Sequence, residues 1–501
     1  MPGVDATTES APARTEHLRS RHAMPARLFD SERTFDQFRR NARVRRHAEN
    51  AGRRAPQEQP RVLTPSVDCA RYQGVSIANG AHSRRSWRRS GGNGARADTV
   101  IRLNLNAIST IGVVGLGTIG SQELALWQRS GHQTVGYDIS EDQVEAARDI
   151  IKANSGPAPR LTTRITDLNE ADVLILCLPN LAPTGENSMA AFDHFSGDAR
   201  ALDEKERLWI LASTLPIGFT RELAARLGDQ GRLVAHAPER FDPGRGTELG
   251  EIPRVVGATS AEALNMTVEL YKRAGVTTHP VDPVEVAEAS KLLENSFRLV
   301  NIAFINEFAE LCRRIGITAA DVIDAAATKP FAFMAHQPGV GAGGTCIPTM
   351  PRYLLDAAKE SGLKMPILQD AVTGNQQIIE RVAEHLRGLL SASGISRGRV
   401  LVVGAAYKPN YPDARASAAL AFAHGLAAHH SVLVYDPIVD AARFPKDIEL
   451  VRAIPDERFD AVVIALKHRN TDIAALRKLS PILIDLVRGA VEVSESISTH
   501  K

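Results

Sequence analysis

The chain has 501 residues, 44% of them hydrophobic and 24% charged, with a formal net charge of +2. That length corresponds to about two to four domains, and the near-neutral balance supplies no global field for nucleic acid or a membrane surface. No run of about eighteen apolar residues suits a membrane span, and four cysteines without paired spacing (Cys69, Cys177, Cys312, Cys346) argue for a reducing, cytoplasmic setting and against a disulfide framework or a metal site.

The charge balance hides an asymmetry. Residues 1–100 hold nineteen arginines, ten acids and no lysine. Apolar runs there are short and lack a sustained period, so residues 1–105 read as a disordered, arginine-rich extension, with a transient helix over 27–48. Ten acids count against a transit peptide, and no secretory-type apolar core precedes the first domain. A nucleic-acid arm is the weaker reading of the same arginines.

The first ordered unit spans 106–282. Ile111-Gly112-Val113-Val114 is a short apolar strand, followed by Gly115-Leu116-Gly117-Thr118-Ile119-Gly120. Three glycines at this spacing give a tight turn, close approach to a pyrophosphate and close packing of helix on strand. The helix continues from Ser121 to about Arg129. A second strand, Thr134 to Asp138, ends in an acid about twenty residues past the glycines, where a carboxylate binds the ribose hydroxyls of NAD and repels the 2′-phosphate of NADP. Further strands are expected at Asp172–Pro179, Leu208–Thr214 and Leu233–His236. Thr214 and Glu239 then fall at strand ends, where ligands of open α/β sheets bind. Thr214 also fits a helix cap and Glu239 a surface acid, while His236 fits a functional and a structural histidine equally.

The segment 283–392 reads as a helical domain. A helix from Val284 to about Gly316 carries Lys291 and Asn295 at i and i+4, so cation and amide share one face and suit a developing oxyanion. Arg298 continues that face. Leu292, Leu293, Phe297, Val300, Ile302, Ile305 and Phe308 make the rest apolar, which suits burial between domains or against a partner. Pro338–Tyr353 then sets Cys346 behind Gly339, Gly341, Gly343 and Gly344. A cysteine on such a loop presents its sulfur to a ligand, or else packs as a small hydrophobe.

Residues 393–501 repeat the α/β pattern, with strands at Arg399–Gly404, Val432–Pro437, Ala461–Leu466 and Ile482–Asp485. Here the first turn reads Gly404-Ala405-Ala406-Tyr407-Lys408-Pro409, without the full dinucleotide loop. The predicted fold is α/β: two doubly wound Rossmann-like domains bridged by a long central helix.

Taken together, GLGTIG, STLPIG, APERFDPG, EASKLLENSFRLVNIAFINE, TKPFAF, GAGGTCIP and GAAYKPNYPDARAS resemble the UDP-glucose/GDP-mannose dehydrogenase family, from about Ile108 to the C-terminus. TKPFAFM is similar to the branch that oxidises UDP-N-acetylhexosamines. The resemblance implies oxidation of a UDP-sugar C6 alcohol (UDP-glucose or a UDP-N-acetylhexosamine) to the uronate with two NAD+. Cys346 would attack the C6 aldehyde, giving a thiohemiacetal and then a thioester. Lys291 and Asn295 would stabilise the oxyanion and orient water, and Glu239 and Thr214 would manage proton and water in hydrolysis. Gly115, Gly117, Thr118, Ile119, Gly120 and Asp138 would hold NAD. Arg298, Gly341, Gly343, Gly344, Tyr407, Lys408 and Arg415 would meet the sugar nucleotide. A homodimer is implied as well.

The sequence also departs from the family pattern. An acid is usual four residues after the cysteine, preceded by a basic or apolar residue, and Met350 and Thr349 stand there. Thr345 replaces the frequent His or Ser before the cysteine. Ala332 stands where a glycine follows Phe331. Cys177-Leu178-Pro179-Asn180 lacks the Thr-Pro usual beside the nicotinamide. These changes motivate two alternatives, a dehydrogenase making a single oxidation and a sugar-nucleotide-binding homologue that has lost catalysis. A 6-phosphogluconate-type dehydrogenase shares the glycine loop and the Lys-x-x-x-Asn helix but has no use for Cys346 or the last domain.

Overall fold

A computed structural model describes Asn106 and residues 108–493, apart from 153, 182–186, 229–230, 232, 243–248 and 442–443. The predicted extension over 1–105, its helix over 27–48 and Cys69 lie outside the described residues.

Eight strands form the first sheet: β1 (Thr110–Val114), β2 (Gln133–Tyr137), β3 (Arg160–Thr162), β4 (Val173–Leu176), β5 (Leu208–Leu211), β6 (Val234–His236), β7 (Arg254–Ala258) and β8 (Thr278–Pro280). Their order is β3-β2-β1-β4-β5-β6-β7-β8. All neighbours pair in parallel except β6 with β7. Side chains alternate faces along a strand, and both faces are apolar here. Ile111, Val113, Val173, Ile175, Leu208 and Ile210 pack into one core with Leu124 and Trp127. Val114, Leu174, Leu176, Trp209 and Leu211 pack into another with Phe192 and Phe219. A parallel sheet covered on both faces needs this continuous apolarity.

The second sheet has β9 (Arg399–Val403), β10 (Ser431–Tyr435), β11 (Glu449–Val451), β12 (Ala461–Ile464), β13 (Ile482–Asp485) and β14 (Ala490–Val493), in the order β11-β10-β9-β12-β13-β14. It repeats the first sheet's wind about β1, with an antiparallel hairpin, β13 to β14, at one edge. Each sheet places an acid just after its second strand. Asp138 accepts from the amides of Leu116 and Ser140. Asp436 accepts from the amides of Ala405, Ala406, Ile438 and Val439 and from His468 Nε2. Burial pushes the Asp436 carboxyl up, but the His468 contact and these amides outweigh it and hold the pKa at about 2. Asp436 thus ties together the loops after β9, β10 and β12.

One helix, Val284–Arg314, runs 31 residues between the sheets, about 46 Å at 1.5 Å per residue. Its Leu299 and Ala303 pack on Ala371 and Val372 of the helix Pro366–Ala392. Near its start, the buried carboxylate of Glu288 accepts from Gly218 N at 2.5 Å, Thr220 N at 2.8 Å and the Thr220 hydroxyl at 2.6 Å. These are the free amides opening the helix Phe219–Leu227, a cap supplied from a distant helix. This is the predicted pair of doubly wound sheets bridged by one long helix. The glycine-loop helix begins at Thr118, inside the loop motif. Thr214 and Glu239, expected at strand ends, each lie three residues beyond β5 and β6, in loops, and β3, β7, β8, β11 and β14 are strands that the sequence pattern does not mark.

Candidate active site

A cleft of about 920 Å³ opens among the C-terminal ends of the two sheets and the central helix. Ligands of open α/β sheets bind in this place. Of the site residues expected from the sequence, all line it except Gly120.

The glycine loop explains that exception. Gly115 has φ +87°, and a Cβ on Gly120 would fall 1.7 Å from the Gly115 carbonyl oxygen. Gly120 therefore serves helix-on-turn packing. Gly117 is the N-cap of the helix Thr118–Arg129, with no side chain across its free amides. A Cβ there would meet nothing within 4 Å, so a phosphate has open access to the helix N-terminus. With Thr118, Ile119 and the Asp138 carboxylate on the same wall, the residues present fit a dinucleotide.

Cys346 opens a short helical turn, Cys346–Thr349, that leads into the helix Pro351–Glu360. It is exposed to the cleft. Thr345 Oγ1 lies 3.8 Å from its sulfur. Cys177, also on the cleft wall, is a different thiol: burial pushes its pKa well up. Cys312 is in the core.

Lys291, Asn295 and Arg298 reach the cleft from one face of the central helix. Asn295 is buried, and its Nδ2 has no protein partner. Glu239 is buried too, with Oε1 unpartnered. Burial raises its pKa to about 7, against the pull of Lys291 and Arg254. Two buried, unsatisfied polar groups on one wall call for a polar ligand or water. The loop carrying Glu239 is held from behind. Arg254 donates to the Ala237 carbonyl at 2.9 Å and pairs with buried Glu123. Arg240 pairs with Glu294 of the central helix at 2.7 Å. His236, the alternative candidate on this strand, is fully buried and outside the cleft; burial lowers its pKa to about 3, so it stays neutral.

The glycine-rich loop is tied down by two asparagines that sequence reasoning missed. Asn306 Oδ1 accepts from Gly339 N at 2.8 Å. Asn375 brackets Ala342, accepting from its N–H at 2.7 Å and donating to its carbonyl at 3.2 Å. Each sits seven residues past an apolar position of its own helix, Asn306 after Leu299 and Asn375 after Leu368. An amide on a buried stripe was the available signal. Gly341 (φ +110°) and Gly344 (φ +80°) have no room for a side chain, the latter because of the Tyr407 ring at 2.9 Å. Gly344 N donates to the carbonyl of Ala416 at 2.9 Å. Beside it Arg415 makes a bidentate pair with Asp413, and Lys408 pairs with Asp242 at 2.5 Å.

The Met350 position changes meaning. It does not line the cleft. Met350 is 1% exposed and packs with Leu292 and Tyr353 beneath the cysteine turn.

Comparison with known proteins decides the family. Three models of the UDP-glucose/GDP-mannose dehydrogenase family match in chain order: its NAD binding domain over residues 109–275, its central domain over 285–377 and its UDP binding domain over 401–488. The chain belongs to this family. A UDP-N-acetyl-D-mannosamine dehydrogenase of Pyrococcus horikoshii is 32% identical over 388 residues, covering 72% of this chain and 89% of the relative. A UDP-N-acetyl-D-glucosamine 6-dehydrogenase of Salmonella typhi is 25% identical over 407 residues, covering 75% and 95%. The solved structure of the Pyrococcus horikoshii UDP-D-ManNAc dehydrogenase aligns with TM-score 0.67 at 29% identity, over 77% of this chain and 97% of that one. The expected NAD cofactor and NAD-linked oxidoreductase class stand with the family. No helix among the described residues is long and apolar enough to cross a membrane.

Proposed function

We propose that this dehydrogenase oxidises the C6 alcohol of a UDP-N-acetylhexosamine to the uronate with two NAD+. The observation that carries this reading is the meeting of exposed Cys346 with Lys291, Asn295, Glu239 and Thr214 in one cleft that also holds the dinucleotide turn. The sugar class rests on the relatives, which act on UDP-N-acetyl-D-mannosamine and UDP-N-acetyl-D-glucosamine.

Gly115, Gly117, Thr118, Ile119 and Asp138 would hold NAD+, which would accept the electron pair in both two-electron oxidations. The remaining work belongs to the chain. Arg298, Tyr407, Lys408, Arg415 and the loop Gly341–Gly344 bind and orient the sugar nucleotide. After the first oxidation Cys346 gives its thiol proton to water and adds through sulfur to the C6 aldehyde, forming a C–S bond and an oxyanion. Lys291 and the free Asn295 amide would stabilise the charge on that oxygen. The second oxidation turns the thiohemiacetal into a thioester. Glu239, its carboxyl poised near neutrality, takes a proton from water positioned with Thr214. The hydroxide so formed adds to the thioester carbon and the C–S bond breaks; Glu239 returns its proton to the leaving sulfur, restoring the thiol, and the acid product ionises to the carboxylate. Covalent capture keeps the aldehyde in place between oxidations.

We assign residues 106–282 to NAD binding, 283–392 to the helical domain with the cysteine loop, and 393–501 to the UDP-sugar. Free thiols at Cys177, Cys312 and Cys346 support a cytoplasmic setting. A homodimer is supported by Leu293, Phe297, Phe304 and Leu311, all exposed along the central helix, an apolar stripe that a second copy would cover. Size exclusion with light scattering tests it, and a monomer at micromolar concentration counts against it.

The function is tested by NADH released per limiting UDP-N-acetyl-D-mannosamine or UDP-N-acetyl-D-glucosamine. Two equivalents, lost in Cys346→Ser, are expected. One equivalent, unaffected by Cys346→Ser, would replace this reading with a single oxidation. Binding without NADH would leave only the sugar-nucleotide site.

A further inference from the structure

Asn180, in the loop after β4, touches two parts of the active site that are far apart in sequence. Its Nδ2 donates to the Thr214 carbonyl at 2.5 Å and faces Met350 Sδ at 3.3 Å. Its own carbonyl accepts from the Tyr353 hydroxyl at 3.0 Å and from Ser188 N at 3.0 Å. Met350 lies one helical turn past the nucleophile, and its N–H donates to the Cys346 carbonyl at 3.0 Å. Burial pushes the Tyr353 hydroxyl up to about 12, so it remains a donor. Leu292, next to Lys291, packs in the same cluster as Met350 and Tyr353.

We infer that Asn180 is a positioning residue, fixing the cysteine turn at a set spacing from the Thr214 loop through Met350 and Tyr353. This rests on the reading of Cys346 as nucleophile.

The chemistry of the side chain supports the assignment. A primary amide carries two hydrogens on one planar nitrogen. One serves the Thr214 carbonyl, the other the soft thioether sulfur, which is a weak acceptor. A carboxylate of the same size has no hydrogen for either partner. The hydrogen bonds are individually modest. Their effect lies in geometry, since a misplacement of about 1 Å costs a reaction on the order of 10²-fold. With its amide committed to Thr214 and Met350, Asn180 acts through neighbours.

The test uses the full-length chain with Asn180→Asp, which keeps the volume and removes both donor hydrogens. Met350→Leu and Tyr353→Phe, each removing one contact, serve as second variants should Asn180→Asp fail to fold. Two readouts are taken. The first is kcat and KM with NAD+ and UDP-N-acetyl-D-mannosamine or UDP-N-acetyl-D-glucosamine. The second is the rate of Cys346 alkylation by iodoacetamide in the ligand-free chain, located by peptide mass spectrometry. For Asn180→Asp we expect kcat to fall at least tenfold, KM to move less than threefold, and Cys346 alkylation to change at least threefold. Met350→Leu and Tyr353→Phe should each change alkylation at least threefold; if Asn180→Asp does not fold, rates within threefold of wild type in both overturn the proposal. A folded Asn180→Asp whose alkylation rate stays within threefold of wild type overturns the proposal. So does a lowered thermal midpoint with kcat and alkylation unchanged, the signature of a merely structural residue. If the wild type yields no NADH with any sugar nucleotide, the functional reading fails, while the alkylation comparison still decides the role of Asn180.

Discussion

Lys408 Nζ donates to Asp242 Oδ1 at 2.5 Å, joining the loop after β9 to the loop after β6. Both residues line the cleft, and the ammonium also lies over the rings of Tyr407 and Tyr411, at 5.7 and 5.2 Å. On the proposed reading, the diphosphate of a sugar nucleotide entering the cleft would compete with a carboxylate for this cation. Asp242→Asn should lower KM for the sugar nucleotide by about threefold, a contribution of about 0.7 kcal/mol, within the range for partly exposed pairs. Lys408→Met should raise it. The two effects have opposite signs, and both should shrink in high salt. Steady-state titration at two ionic strengths checks this; a rise in KM for both variants would show that Asp242 aids binding.

Glu239 should govern the pH dependence. As the proposed base it would act deprotonated, and a pKa raised by burial to about 7 places the gain in that form between about pH 6 and 8. Turnover should thus rise with pH along a limb centred near 7. Glu239→Gln should abolish the limb, reduce kcat by about 10²–10⁴-fold and leave an acyl group on Cys346, visible as added mass on the intact chain. The stability sign is the reverse. A carboxyl raised by burial above its ordinary 4.5 contributes stability at low pH that is lost as pH rises through about 7. Glu239→Gln should therefore gain on the wild type in denaturant midpoint at pH 8 compared with pH 5. A pH-independent difference would show that Glu239 does not titrate in this range.

Asn375 should matter more for binding than its distance from Cys346 in sequence implies. It supplies both hydrogen bonds to Ala342, in the middle of the glycine loop. Asn375→Ala leaves a part-buried N–H and C=O unpaired, a loss of about 1–3 kcal/mol. The loop should loosen and KM for the sugar nucleotide rise, with the NAD+ KM unchanged. Urea denaturation and paired KM measurements check this. An unchanged sugar-nucleotide KM would mean the loop holds its shape without the bracket.

What was legible in the sequence followed from repetition along one short stretch. Ile111 to Val114 and Val400 to Val403 are apolar at every step because both faces of their sheets are covered. GLGTIG and Asp138 sit at fixed offsets, so local spacing alone placed them. Cys346, Lys291 and Glu239 were named from motifs, and the fold brings them to one cleft. The illegible part is contact between distant segments. Asn180 and Met350 each look like an isolated departure, but they touch across 170 positions, which no local pattern reveals. Edge strands β11 and β14 were missed because they are short and partly exposed, without the buried apolar run that marked the central strands.

Ala332 offers a test of the remaining departure. Its φ is +57°, the left-handed region, which costs a side-chain-bearing residue about 1–2 kcal/mol. Its side chain is exposed, so glycine there loses no packing. The added freedom of glycine in the unfolded chain costs about 0.4–1 kcal/mol. Relief of the backbone strain outweighs that cost, and Ala332→Gly should stabilise the protein by about 0.5–1 kcal/mol. The control is Ala325→Gly, exposed in the helix Ala319–Ala327, which should lose about 1 kcal/mol because glycine is a poor helix former. Denaturant midpoints of both variants measure this. The same substitution then carries opposite signs seven residues apart, set by backbone conformation alone. A loss in both would mean that Ala332 does not hold the left-handed conformation in solution.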